Sequence, residues 1–265
     1  MHNAAFAELG LNWRYLAFEV DPKNLRAAIE GARAMNFAGI NLTVPHKLLA
    51  VDMMDELDVS AQTWGAVNTI KFVTDYAGKV RAIGFNTDAD SLVSSLRADL
   101  KLELHGAKVL LLGAGGAGRT AALKLAAENV AELFLVNRTQ SKADEIAIEI
   151  KKQFPGVRIA TTYPTAEVDL VLNATSLGLK AEDASPLDTQ KFSLLQARVA
   201  YDMIYRPAET AFLHAAKIAS CKIANGIGML VGQGGKAFEI WTGQTAPLAV
   251  MRQAVEETVY GSAKS

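Results

Sequence analysis

The chain has 265 residues, enough for one large or two modest domains. Half of it is apolar and 21% is charged, with a mean hydropathy of +0.14, so it can bury a full core, and disorder and fibrous repeats are excluded. Lys plus Arg number 27 against 28 Asp plus Glu, which gives no basic surplus for nucleic acid and no charge block for an anionic membrane; small-molecule partners are expected.

Met1 to Gly10 is an apolar helical pattern closed by a glycine, with no signal-peptide pattern ahead of it. Trp13 to Val20 reads as a strand, Asp21-Pro22 as a helix start, and Asn24 to Met35 as an amphipathic helix with Leu25, Ala28, Ile29 and Ala32 on one face. Gly39 to Val44 is a buried-type strand, Pro45 suits the first turn of a helix, and His46 to Leu57 continues it. Trp64 to Val73 and Val80 to Asn86 flank the polar, Gly-containing connection Asp75 to Lys79, a hairpin. This half is expected to be α/β with a mixed sheet.

A helix follows from Asp88 to about Leu100, and the period then becomes βαβ. Strands are expected at Lys108 to Leu112, Glu132 to Val136, Val168 to Asn173, Val199 to Ile204 and Lys222 to Asn225, the pattern of a doubly wound parallel sheet. Met229 to Trp241 and Pro247 to Tyr260 are helical with no strand left to pair, and are expected to pack back on the first half. Two domains result, residues 1–88 plus 233–265 and residues 89–232. Cys221, the single cysteine, excludes an internal disulfide framework and fits a reducing, cytoplasmic setting; no apolar run reaches the length of a membrane span.

Lys108 to Thr120 holds a strand, a Gly-x-Gly-x-x-Gly turn and a helix start in the correct order. Gly113 would make the tight turn, Gly115 would admit a pyrophosphate, and Gly118 would let helix and strand pack closely, with the backbone of Ala114, Gly116 and Ala117 around the anion. A methyltransferase-type loop is the competing reading of the glycines alone. The second strand ends Val136-Asn137-Arg138-Thr139, with no carboxylate to accept an adenosine ribose and repel a 2′-phosphate. Arg138 offers a planar fork for that phosphate, Thr139 a hydroxyl and Lys142 a second charge, so NADP is favoured over NAD; a solvated helix start is the alternative.

In Thr43-Val44-Pro45-His46-Lys47 a lysine stands in the first turn of a helix, where the macrodipole disfavours a cation. Such a lysine can protonate the alkoxide that forms when hydride reaches a ketone. Asp88, in Gly84-Phe85-Asn86-Thr87-Asp88, is either a helix N-cap or a carboxylate that orients Lys47 and accepts a substrate hydroxyl. His46, Met229 and Phe238 read as structural. His2, His105 and His214 have no neighbours spaced for a metal or a triad, and no metal is expected.

Asn41 to Lys47, Ala66-Val67-Asn68-Thr69, Gly84 to Asp88, Gly113 to Gly118, Asn137-Arg138-Thr139, Asn173-Ala174-Thr175-Ser176-Leu177-Gly178 and Gln233 through Gly243 resemble the shikimate dehydrogenase family in the family's order, over nearly the whole chain. The resemblance implies an N-terminal α/β substrate domain followed by a Rossmann-type NADP domain. It further implies NADPH-dependent reduction of 3-dehydroshikimate to shikimate in aromatic amino-acid biosynthesis, by a monomer or homodimer. It assigns Lys47 and Asp88 to the catalytic pair and Thr43, Asn68 and Gln233 to the substrate hydroxyls. Thr175 and Ser176 would line the cofactor, and Met203, Tyr205 and Gly226 the nicotinamide pocket, with Tyr205 also on the substrate. Quinate with NAD, or NADP binding without catalysis, are the competing activities; a one-carbon folate dehydrogenase is disfavoured because the polar set fits a polyol.

Members of the family begin with a strand and a His-Ser-x-Ser-Pro segment, of which Met1-His2-Asn3 matches only the tail. By that resemblance the chain is N-terminally shortened by about fifteen to twenty residues, one strand and its loop. Two serines for the substrate carboxylate and one internal sheet strand would then be missing, so that weak substrate binding is expected. Unpaired backbone groups beside the lost strand would cost on the order of 1–3 kcal/mol each if buried.

Overall fold

A computed structural model describes residues 1–180 and 182–261 of the chain. Two units emerge, one formed by Met1–Ala89 with Val231–Val255, the other, among the described residues, by Asp90–Leu230 with residues 256–261. Residues 262–265, which the sequence assigned to the first domain, lie outside the described residues.

In the first unit, helix α1 (His2–Glu8) leads to α2 (Leu25–Ala34) and strand β1 (Gly39–Asn41). Leu25, Ile29 and Ala32 recur on one face of α2 and are buried there against Ile70, Phe72 and Ala82 of the sheet. The short α3 (His46–Leu49), β2 (Glu56–Leu57) and α4 (Val59–Trp64) precede the hairpin β3 (Thr69–Thr74) and β4 (Val80–Phe85). The sheet order is β1-β3-β4-β2, with antiparallel pairs except β2 on β4, so the expected mixed sheet is present. Asp75 ties the hairpin by accepting from the backbone of Ala77 and Lys79, each at 2.9 Å.

Three local expectations are corrected. Trp13 to Val20 is irregular and not a strand, since a ladder needs a neighbouring backbone and the amide of Asn3 takes the place of one for Tyr15, at 2.7 and 3.0 Å. The helix expected over His46 to Leu57 ends at Leu49. Asp55 draws the chain onto the sheet edge instead: its backbone N–H donates to Ala82 O at 3.0 Å and its carboxylate accepts from Ala82 N at 2.7 Å. That backbone bond, aided by Arg33, holds the Asp55 carboxyl below its ordinary range. Third, the strand expected from Trp64 begins only at Thr69, because Asp58 caps α4 and Gly65 closes it in the left-handed conformation, φ 62°.

His2 is 3% exposed, stacked on Tyr15 at 4.4 Å and beside Trp241 at 5.3 Å, and neither ring nitrogen has a hydrogen-bond partner. Burial, with the Met1 amino group adding, lowers its pKa from 6.5 to about 4. Between those values the unfolded chain binds the extra proton, so stability falls as pH drops through this window. His2→Phe is expected to remove about 3 kcal/mol of the loss between pH 7 and 4, read from urea unfolding of both proteins across that range.

The second unit contains most of α5 (Asp88–Leu100), then β5 (Lys108–Leu112), α6 (Gly116–Ala127), β6 (Glu132–Val136), α7 (Gln140–Gln153), β7 (Arg158–Ala160), β8 (Val168–Asn173), β9 (Ala197–Asp202), α8 (Ala211–Ile218) and β10 (Lys222–Asn225). All strand pairs are parallel in the order β10-β9-β8-β5-β6-β7. Val109 to Leu112 of the central β5 form a continuous buried run, as a strand covered on both faces requires. The chain winds outward from β5 through β6 and β7, then restarts at β8 and winds the other way, so the ends of β5 and β8 form a topological switch point. Of the last helices, α9 (Ile227–Thr242) and α10 (Leu248–Tyr260), Trp241 donates to Ile70 O at 2.9 Å in the first unit. Tyr260 donates to Tyr205 O at 2.7 Å in the second. Among the described residues no helix is long and apolar enough to cross a membrane.

Candidate active site

Two polar centres stand out, one in each unit. In the first, Lys47 Nζ donates to Asp88 Oδ2 at 2.8 Å, with side-chain exposures of 28% and 15%. Lys47 sits on α3, and its own carbonyl accepts from Val67 N at 2.9 Å, which fixes the lysine's backbone to the segment carrying Asn68. Asp88 opens α5 without capping it: Asn86 Oδ1 accepts the N–H groups of Asp88 and Ala89 at 3.1 and 3.3 Å. The carboxylate is thereby released for Lys47, and the choice between N-cap and partner of the lysine falls to the partner.

Asn68 is 2% exposed and holds the same turn from the other side. Its Oδ1 accepts from Thr87 N at 2.9 Å, and its Nδ2 donates to Thr87 Oγ1 at 2.9 Å. Behind it, Asn41 donates to Thr69 Oγ1 at 2.9 Å, and Tyr15 donates to Asn41 Oδ1 at 3.0 Å. Sequence reasoning missed Tyr15, Asn41, Asn86 and Thr87 as members of this network, although three of them stand in the quoted motifs. Thr43 is exposed just before α3, and Gln233 is half-buried on α9.

The second centre lies at the switch point. Gly113 follows β5 with φ 108°, and its N–H donates to Val136 O at 2.8 Å. Asn137 joins the two strand ends, accepting from Ala114 N at 3.0 Å and donating to Thr139 O at 2.8 Å, so its amide organises the turn. The N-cap of α6 is Gly115, with no side-chain cap, and a Cβ at Gly115 or Gly116 would meet nothing within 4 Å. Bare N–H donors thus face open space at a helix N-terminus, which fits a pyrophosphate. Arg138 and Thr139 are exposed at the start of α7 with Lys142 one turn on, and among the described residues neither cation is in an ion pair. The absence of a carboxylate and the presence of two cations fit a 2′-phosphate.

On the other side of the switch point, the Thr175 hydroxyl is turned inward, donating to Asn173 Oδ1 at 2.7 Å and accepting from Leu177 N at 3.1 Å. Ser176 is exposed. Met203 N donates to Asn173 O at 3.0 Å, and Gly226 N to Ile204 O at 3.2 Å. Tyr205 lies half-buried after β9, in the second unit. No group of His, Cys, Asp and Glu able to hold a metal occurs among the described residues.

Three stretches match parts of one family: residues 1–70, described as "Shikimate dehydrogenase substrate binding domain", residues 96–181, "Shikimate / quinate 5-dehydrogenase", and residues 226–256, "Shikimate 5'-dehydrogenase C-terminal domain". The "Shikimate dehydrogenase (NADP(+))" of Methanopyrus kandleri is 41% identical, over 97% of this chain and 89% of its own length. The crystal structure of shikimate 5-dehydrogenase from Thermus thermophilus, in complex with NADP(H) and shikimate, is 35% identical with a TM-score of 0.84, covering 97% of this chain and 92% of that one. A ligand-free 5-ketofructose reductase of Gluconobacter is also 35% identical, with a TM-score of 0.82 over 97% of this chain and 91% of that one. With matches at this identity running through both units, the chain belongs to the shikimate dehydrogenase family.

Proposed function

We propose that the chain catalyses the reversible, NADP-dependent reduction of 3-dehydroshikimate to shikimate in cytoplasmic aromatic amino-acid biosynthesis. The observation that carries this reading is the Lys47–Asp88 pair at 2.8 Å, partly buried and braced by Asn68 and Thr87. A cofactor of this kind supplies hydride at the carbonyl carbon. Lys47 donates the proton that the carbonyl oxygen needs as it becomes an alkoxide, and takes it back in the reverse direction. Asp88 holds the Lys47 ammonium through Oδ2 and accepts a substrate hydroxyl. Thr43, Asn68 and Gln233 hydrogen-bond the remaining hydroxyls, and Tyr205 contacts the substrate from the segment after β9. Such donors and acceptors discriminate a polyol from a deoxy analogue, because the analogue would leave them unpaired.

In the cofactor site, Gly113, Ala114, Gly115, Gly116, Ala117 and Gly118 present backbone to the pyrophosphate. Asn137, Arg138, Thr139 and Lys142 form the adenosine end, while Thr175, Ser176, Met203 and Gly226 form the nicotinamide end. Arg138→Ala is expected to raise KM for NADP about 10- to 100-fold while leaving KM for NAD within about twofold, since a charge-assisted contact to the 2′-phosphate is lost. The reading as a whole is tested by oxidising shikimate and quinate side by side with NADP and NAD, following absorbance of the reduced cofactor. Shikimate with NADP is expected to be the fastest pair. Quinate with NAD as the fastest would transfer the assignment to the quinate enzymes, and cofactor binding without turnover would remove catalysis from it.

A further inference from the structure

We infer that Asp202 is a positioning residue for the nicotinamide half of the cofactor site, acting through Asn173 and Thr210. The inference rests on the NADP reading above. Asp202 ends β9, with 0% exposure. Its carboxylate accepts from Asn173 Nδ2 at 3.0 Å, Ile204 N at 3.0 Å and Thr210 Oγ1 at 2.7 Å. All three donors are uncharged, and burial raises the pKa of the group. A buried carboxylate without a cation is a costly way to fill a core, which an apolar side chain would fill more cheaply.

What the carboxylate holds explains the cost. Asn173, the last residue of β8, takes Thr175 N at 2.9 Å and the Thr175 hydroxyl at 2.7 Å on its carbonyl oxygen, and donates to Leu177 O at 3.2 Å. The turn from Ala174 to Gly178 therefore hangs from Asn173, and the orientation of the Asn173 amide is set by Asp202. Ile204 N fixes the turn after β9, next to Met203. Thr210 is the N-cap of α8, accepting from Leu213 N at 3.3 Å while donating to Asp202. One carboxylate thus joins the two loops that leave the carboxyl ends of β8 and β9, holding the second at its start and at its end. In a doubly wound sheet those ends belong to the second mononucleotide half, across the switch point from the glycine turn and the β6 end. The adenosine half has its own organiser, Asn137, which accepts from Ala114 N and donates to Thr139 O.

A truncated ligand separates this role from a general contribution to folding. Adenosine 2′,5′-bisphosphate carries the adenine and the 2′-phosphate but no nicotinamide, so it reports on the first half alone. Asp202→Asn keeps the shape and replaces an acceptor with a donor facing donors. Its Kd for NADPH, from fluorescence titration, is expected to rise about tenfold, and its Kd for the bisphosphate to stay within about twofold of wild type. Thr210→Val removes one donor and is expected to raise Kd for NADPH about threefold with the same selectivity; it decides the matter if the first variant fails to fold. Parallel weakening of both ligands, or no change in either, overturns the inference. Failure of the wild-type chain to bind NADPH at all would overturn the NADP reading instead.

Discussion

Lys47→Ala is expected to lower kcat for NADP-dependent shikimate oxidation by about 10²- to 10⁴-fold, the range over which a positioned general acid–base group acts. NADPH affinity should remain within about twofold of wild type, because Lys47 lies on α3 of the first unit and the glycine turn lies in the second. The loss is chemical rather than structural. The lysine side chain is 28% exposed, so its removal opens little cavity and leaves Asp88 able to find water, and the melting temperature should change by only a few degrees. Asp88→Asn should cost less alone, since the lysine survives without its holder. The double variant should be no slower than Lys47→Ala, as residues acting as one unit are strongly non-additive. Steady-state rates of the three variants check this, and an unchanged rate in Lys47→Ala would refute the role.

The parts of this site that the sequence reveals are those where a local rule is broken. A lysine in the first turn of a helix and a Gly-x-Gly-x-x-Gly turn between strand and helix are anomalies that need no partner to be seen. The doubly wound order was legible for a related reason: strands buried on both faces, such as Val109 to Leu112, leave short apolar runs, and their regular alternation with helical stretches marks a parallel sheet. Residues whose work consists of holding others were hidden. Asn86 caps α5 from two positions upstream, yet Asn86, Thr87 and Asp88 are all good capping types, and only the observed bonds show which one serves. Asp202 falls inside the expected strand Val199 to Ile204 and draws no notice until its three uncharged donors are seen. Between residues 11 and 20 only Leu11, Trp13 and Tyr15 alternate with exposed Asn12 and Arg14, and the alternation is lost at Leu16 to Glu19, all exposed. The Tyr15 backbone bonds to the Asn3 side chain, and among the described residues the segment joins no ladder. The His46 to Leu57 expectation failed through a long-range bond, that of Asp55 to Ala82, which no window of that length contains.

The second large effect is expected at Gly118. A Cβ built there lies 2.7 Å from the carbonyl carbon of Gly113 and closer still to its oxygen. Those are backbone atoms of the tight turn, where φ of Gly113 is already 108°, so the obstacle cannot swing aside as a side-chain tip would. Gly118→Val must push the first turn of α6 away from β5, a displacement of the overpacking kind that costs about 1–3 kcal/mol of stability or more. Affinity suffers beyond stability, since the N–H donors of Gly116 to Gly118 are the groups that would meet the pyrophosphate, and a shift of about an ångström takes several hydrogen bonds out of range together. Kd for NADPH and for adenosine 2′,5′-bisphosphate should therefore both rise by about 100-fold, unlike the selective effect at Asp202. Gly156, with nothing within 4 Å of its built Cβ, supplies the control: Gly156→Ala should leave melting temperature and both affinities unchanged. If Gly118→Val bound NADPH as tightly as wild type, close helix–strand packing at this turn would not be what sets the pyrophosphate site.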